Sequence, residues 1–526
     1  MLQTLTSSRG MVTVPHHLAA QAGLSVLREG GNAIEAVVAA AATIAVVYPH
    51  MNSIGGDGFW LIGEPGKAPL GIDACGRAAE RATPGFYRER GCAAIPSRGP
   101  WAANTVAGAI SGWQAALATS DARLPLSRLL ADATWYARYG VPVTGSQQAY
   151  TTKFLAELHG QPGFAAAYLD AGRPAPAGAL RRYPALAATL EQLAREGLDD
   201  FYRGGIAQAL ADDFQRLDCP LSGADLQRHT ATRVEPLTVA LGAGSVHNLP
   251  PPTQGLASLM ILGIFDRLHC AAADGYAHLH GLIEATKQAF LVRNRHVCEP
   301  QAMTVAPESF LSTAALDERA RAIDPARARP WPELPAKGDT VWMGAVDGSG
   351  RMVSYIQSVY WEFGSGVVPE SLGSAWQNRG SSFSLDPRSH LYLEPGRRPF
   401  HTLNPAYARL ADGRTMVYGT MGGDGQPQTQ AAIFSRYAMF GQQLQQAITA
   451  PRWLLGRTWG QESVTLKLES RIPEAVVQQL ARAGHDLEMV DDYSDQVGHA
   501  GALVVHPNGV ISGAADPRSD GAVAGF

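Results

Sequence analysis

The sequence has little that would hold a protein outside the cell or across a membrane. Its five cysteines, Cys75, Cys92, Cys219, Cys270 and Cys298, are odd in number and scattered, with no C-x-x-C pair. This spacing argues against a disulfide framework and a thiolate zinc site, and points to reduced thiols in a cytoplasmic protein. The N-terminus "MLQTLTSSRGMVTV" lacks the basic start and apolar run of a secretory signal. The most membrane-like stretch, "AVVAAAATIAVVYPH" from Ala36, stays apolar for only about a dozen residues where a membrane span needs roughly 20, so it reads as a buried helix. Charge of one sign is missing too. With 43 basic against 47 acidic residues and a formal charge of −4, neither nucleic acid nor an anionic membrane is an expected partner. The glycine-rich "NSIGGDGFWLIG" lacks the spacing of a phosphate-binding loop. His278, His280 and Glu284 carry metal-binding side chains, but 278 and 280 face different ways on a helix and H-E-x-x-H is absent, so no metal or cofactor is expected.

What the chain does have is length and an ordinary globular composition: 526 residues, 46% hydrophobic, 17% charged. That is enough for a large core. The 56 glycines predict many tight turns and close backbone approaches. After a short strand-like "GMVTV", helix-like periodicity follows, with a break at "EGGN" where Asn32 can cap the second helix. It then dominates from about residue 100 to 285, interrupted by "GSVHNLPPPTQG", which is either a rigid polyproline turn or a substrate-side loop. After about Ala322 the prolines Pro325, Pro330, Pro332 and Pro335 predict an extended, exposed connector. Then the period changes. "TVWMGAVD" and "RMVSYIQSVY" around "GSG" predict a hairpin of half-buried, alternating strands, with later strands at "HTLNPAYARL", "TMVYGT", "VTLKLE" and "GALVVHPNGVISGAAD". Helices are predicted over "QTQAAIFSRYAMFGQQLQQAI" and "PEAVVQQLARAG". Antiparallel strands mixed with helices predict a layered α+β architecture.

The connector runs straight into Thr340. A threonine opening a strand is an ordinary β-former. It is also a nucleophile if the chain is cut between Asp339 and Thr340, because the freed α-amine, with a pKa near 8, can take the hydroxyl proton. Gly422 and Gly423 in "GTMGGDGQPQ" have amides that could stabilise an oxyanion, though a Gly-Gly pair also makes a plain turn. Arg77 in "DACGRAAER" could hold a carboxylate.

Taken together, these segments resemble the γ-glutamyltransferase family of N-terminal-nucleophile hydrolases along nearly the whole chain. The resemblance rests on "GMVTVPHHLAAQAGLSVLREGGNAIEAVVAAAATIAVVYPHMNSIGGDGFWLI", "NLPPPTQG", "LHGLIEATKQAF", "GRRPFHTLNPAY", "GTMGG" and "ITAPRW", in family order. It implies a four-layer αββα sandwich and a precursor that cuts itself. Residues 1–339 would then be a large subunit and 340–526 a small one that opens with the nucleophile; whether two such heterodimers associate is left open. It further implies Thr340 as nucleophile, Gly422 and Gly423 as oxyanion donors, and Arg77 as the carboxylate-binding arginine.

Departures from the family pattern bear on substrate. The second threonine of the family motif is Val341. A threonine and an asparagine that position nucleophile and substrate align with Ser358 and Tyr360, and paired serines align with His401 and Thr402. The family's "NNQMDDF" becomes "QNRGSSF", so Asn378 is followed by Arg379, and two acidic residues become Ser381 and Ser382. Loss of carboxylates with gain of an arginine favours an anionic substrate over an amino-acid cation. The resemblance then implies hydrolysis of a small carboxylate-bearing amide, oxamate to oxalate and ammonia. The alternatives left open are a γ-glutamyl hydrolase or transferase, a cephalosporin-acylase-like amidase, and a non-catalytic binding protein that keeps the fold.

Overall fold

The computed structural model describes residues 3–121, 123–332, 339–456 and 464–526. Two seven-stranded antiparallel sheets lie at its centre. One runs, in spatial order, Leu5–Ser7, Ile511–Ala515, Ala500–Val505, Thr415–Thr420, Ala406–Leu410, Gly244–Asn248 and Leu237–Leu241. The other runs Ala522–Gly525, Met11–Val14, Asp339–Val346, Met352–Tyr360, Asp57–Gly63, Leu70–Ala74 and Thr232–Val234. Each sheet takes strands from both sides of residue 340.

Side-chain alternation along the strand Asp339–Val346 shows how the layers stack. Trp342 and Val346 join Phe59, Leu61 and Ile356 against Tyr407, Val417 and Leu503 of the other sheet, forming the core between the sheets. Val341, Met343 and Ala345 point the opposite way, into a core shared with the helix Ala33–Val47. The other sheet is covered on its far face by Gly255–Asp266, Tyr276–His296 and Gly425–Phe434. Helix, sheet, sheet and helix make a four-layer αββα sandwich.

This stacking corrects one expectation. The hairpin forms as predicted, but its strands are not half-buried: every residue of Met352–Tyr360 is buried, because both faces of the sheet are covered. The segment read as a polyproline turn or substrate-side loop begins instead with the strand Gly244–Asn248, while the predicted helix cap holds. Asn32 caps the buried helix in a reciprocal capping box with Glu35. The helix predicted over residues 428–448 is broken into Gly425–Phe434, a wide turn Ser435–Met439 and Leu444–Thr449, because Gly441 takes a positive φ of 70° between them. Pro325 to Pro332 runs mostly exposed, as predicted for the connector, while residues 333–338 lie outside the described residues.

Candidate active site

Thr340 is fully buried on the strand Asp339–Val346. The pairing with the neighbouring strand is irregular at this point: Asp339 faces Tyr360 and Val341 faces Gln357, so Ser358 and Val359 together oppose Thr340. A bulge of this kind twists a strand locally and re-aims a side chain. Thr340 keeps the parity of Trp342, which places its side chain toward the space between the sheets. Ser358 and Asp57, paired across the next two strands, share that face.

The turn Gly422–Gly423 enters from the other sheet, after the strand Thr415–Thr420. Gly422 has φ 117° and Gly423 φ 50°, a left-handed pair that side chains resist. Gln254, at the end of the triple-proline segment, holds the turn: its Nε2 donates to the carbonyls of Gly423 and Thr402, both at 2.7 Å. Its Oε1 accepts from Arg293 at 2.8 Å, and Arg293 is paired with Asp424 at 2.7 and 3.1 Å. The network is buried, and its polar ends are matched, so the orientation of the two glycine peptides is fixed before any ligand arrives. The helix Gly425–Phe434 begins immediately after the turn, and Gln426 in its first turn donates from Nε2 toward Thr340 Oγ at 3.4 Å.

A buried positive charge lies against Tyr360, at the end of the neighbouring strand. Arg379 is fully buried, its guanidinium stacked 3.7 Å above the Tyr360 ring, and Tyr360 faces Asp339 across the strand pair. Nη1 donates to Thr402 Oγ at 3.3 Å, whereas Nε and Nη2 have no partner among the described residues. Burial pushes the guanidinium down to about 10, which still leaves it charged at neutral pH. An unpartnered buried donor costs about 1–3 kcal/mol, so an arginine with two of them on one edge is kept at the expense of stability. That edge, Nε with Nη2, has the fork geometry of bidentate carboxylate binding.

Asp57 and His401 complete the cluster. Asp57 Oδ1 accepts from the amides of Gly76 at 3.0 Å and Gly108 at 3.1 Å and from Gln377 Nε2 at 3.0 Å; Oδ2 lies 3.0 Å from His401 Nε2. Burial pushes the carboxyl up to about 7 against the pull of those donors and of Arg379. Burial, with Arg379 nearby, drives His401 well below its ordinary value, so its ring is neutral. Its Nδ1 is buried without a partner among the described residues.

The other residues singled out from sequence have varied surroundings. Tyr360 adopts a positive φ of 83°, and its amide donates to Ser358 Oγ at 2.8 Å. Asn378 braces the loop, donating to the Ser97 carbonyl at 2.8 Å and accepting from the Trp361 amide at 3.2 Å. Ser381 and Ser382 turn to the carbonyls of Asn378 and Phe400. Arg77 is half-exposed and gives its guanidinium to Glu299 and to the Gly396 carbonyl, each at 2.9 Å. Arg379, rather than Arg77, is the arginine gathered with Asp57, His401 and Thr402. His278 and His280 do diverge: His278 pairs with Ser435, whereas His280 meets His485 at 3.0 Å and Glu284 pairs with Lys287 at 2.7 Å. Sequence reasoning passed over Asp57, Gln254 and Gln426. All three lie inside segments already singled out, "GGDGF", "PPPTQG" and "GGDGQPQ", but their residue types alone carry no signal of a role.

Residues 19–526 match the family model described as Gamma-glutamyltranspeptidase. The chain is 55% identical over 524 residues to the "Oxamate amidohydrolase proenzyme" of Klebsiella pneumoniae subsp. pneumoniae, covering 99% of both. It is 37% identical over 533 residues to the "Glutathione hydrolase-like YwrD proenzyme" of Bacillus subtilis, covering 100% of both. Among solved structures, a cephalosporin acylase from Bacillus halodurans superposes with a TM-score of 0.91 at 34% identity, over 100% of this chain and 97% of that one. With the αββα sandwich in place and nearly its whole length matched, the chain belongs to the gamma-glutamyltranspeptidase family and is an N-terminal-nucleophile hydrolase.

Proposed function

We propose that the chain cuts itself between Asp339 and Thr340, giving subunits 1–339 and 340–526, and then hydrolyses oxamate to oxalate and ammonia. The observation that carries the substrate is the unpartnered Nε–Nη2 edge of buried Arg379, next to the strand position opposite Asp339. In oxamate the carboxylate is bonded directly to the scissile carbonyl carbon, so an anion anchor must stand beside the nucleophile. The 55% identical Klebsiella relative, named for oxamate, agrees with that reading. Five free cysteines fit a reducing, cytoplasmic compartment.

In the uncut chain the Thr340 nitrogen is acylated by Asp339. Once cut, the neutral α-amine takes the Oγ proton and Oγ bonds to the amide carbon. The amides of Gly422 and Gly423 receive the oxyanion, held in place by Gln254 and Arg293. The ammonium passes its proton to the leaving nitrogen, the C–N bond breaks and ammonia departs. Water, deprotonated by the same amine, then attacks the oxalyl ester, releasing oxalate and restoring Oγ–H. Arg379 holds the substrate carboxylate throughout, with Thr402, His401 and Tyr360 around it; Ser358 and Asn378 shape the two segments that carry Tyr360 and Arg379.

Turnover of oxamate, glutathione and a glutaryl amide, measured side by side on the cut protein, tests the assignment. Ammonia release from oxamate is expected. Glutathione turnover without oxamate turnover would transfer the reading to the γ-glutamyl class, against the absence of carboxylates at Ser381 and Ser382.

A further inference from the structure

Gln426 is fully buried, and the two ends of its carboxamide differ. Nε2 points to Thr340 Oγ at 3.4 Å, while Oε1 has no partner among the described residues. The backbone that carries this side chain is fixed. Its residue is set in the first turn of the helix Gly425–Phe434, its amide donates to the Gly423 carbonyl at 3.3 Å, and the neighbouring turn residue Asp424, two positions earlier, is locked to Arg293. One donor at the nucleophile and one unmatched buried acceptor beside it form the complement of a carboxamide. A buried acceptor left unpaired costs about 1–3 kcal/mol, which a substrate N–H recovers on binding.

Resting on the hydrolase reading above, we propose that Gln426 recognises the scissile group as a primary amide through a paired contact. Its Nε2–H donates to the substrate carbonyl oxygen and its Oε1 accepts from the substrate N–H that lies on the same side as that oxygen. Only an unsubstituted amide has such a hydrogen in its ordinary form. In a trans secondary amide, the form of ordinary peptide bonds, the N–H points away from the carbonyl oxygen and the substituent takes its place. The pair therefore selects oxamate-like primary amides and rejects N-substituted ones. As Oγ attacks and the carbonyl oxygen gains charge, the Nε2 donor joins the amides of Gly422 and Gly423, so the interaction strengthens toward the transition state.

The test uses cut wild type, Gln426→Met and Gln426→Glu, with cutting confirmed by intact mass, on oxamate and N-methyloxamate. Wild type is expected to prefer oxamate in kcat/KM by at least about tenfold. Gln426→Met is expected to lose about 10²–10³ on oxamate and at least about tenfold less on N-methyloxamate, narrowing the preference. Equal losses on both compounds, or no loss, would overturn the proposal. So would failure of both variants to cut while folded, which would place Gln426 in processing instead. If wild type ignores oxamate but hydrolyses another primary amide, the oxamate assignment falls. The same comparison on that amide and its N-methyl form then decides Gln426.

Discussion

Replacing Arg379 separates binding from folding. Arg379→Met removes a buried guanidinium whose Nε and Nη2 have no partner among the described residues and whose Nη1 makes one long bond to Thr402. Deleting a charge-assisted bidentate pairing from a desolvated site costs about 3–5 kcal/mol, which corresponds to a fall of roughly 10²–10⁴ in kcat/KM for oxamate. Oxamide, with a neutral amide in place of the carboxylate, is expected to suffer far less. Stability should move the other way. Taking out two unsatisfied donors relieves about 1–3 kcal/mol each, against the stacking on Tyr360 and the attraction to Asp57 that go with them. The thermal midpoint is therefore expected to hold or rise. Ammonia release from the two compounds and calorimetry on the same preparations check this. Equal falls on oxamate and oxamide, or a midpoint lowered by many degrees, would show that Arg379 serves the fold and not the anion.

Asp57 gives a pH signature. Burial lifts its folded-state carboxyl to about 7, above an unfolded value near 4, so the stability it confers is complete in acid and is lost as pH rises through 7. Between pH 5 and 8 wild type should lose about 2–3 kcal/mol that Asp57→Asn does not, read as a difference in unfolding free energy at the two pH values. Parallel pH dependences would contradict it. Gly419→Ala probes how closely the sheets meet, because a Cβ there would stand 2.2 Å from Trp342 Cδ1, two residues along the strand from Thr340. A loss of about 1–3 kcal/mol with slower self-cutting is expected; an unchanged melt and rate would refute it.

The layered fold was legible because its signals are local: the period change after the connector, the Asn32 cap, the hairpin at "GSG". The depth of burial was not. Alternation along Met352–Tyr360 looks the same whether one face or both faces are covered, and only the second sheet and the helix Ala33–Val47 decide. In the site, Arg379 was visible as a charge reversal within a family motif. His401 and Thr402 were visible too, as replacements of paired serines, but Asp57 was not, since it lies more than three hundred residues earlier and meets His401 only in the folded chain. Arg77 shows the converse: an arginine at a plausible motif position whose reach is settled by Glu299, more than two hundred residues away. Gln254 and Gln426 carry no sequence signal, because what they do depends on which carbonyl or hydroxyl lies at the end of a neutral side chain.

The central claim is that Thr340 becomes an N-terminus. Intact-mass analysis with N-terminal sequencing of wild type and Thr340→Ala tests it. Wild type is expected to yield two chains, one beginning Thr340-Val341-Trp342, and the variant a single chain of about the 55.8 kDa of the full sequence. A wild type that stays whole while releasing ammonia from oxamate, or a variant cut at the same bond, would contradict the account.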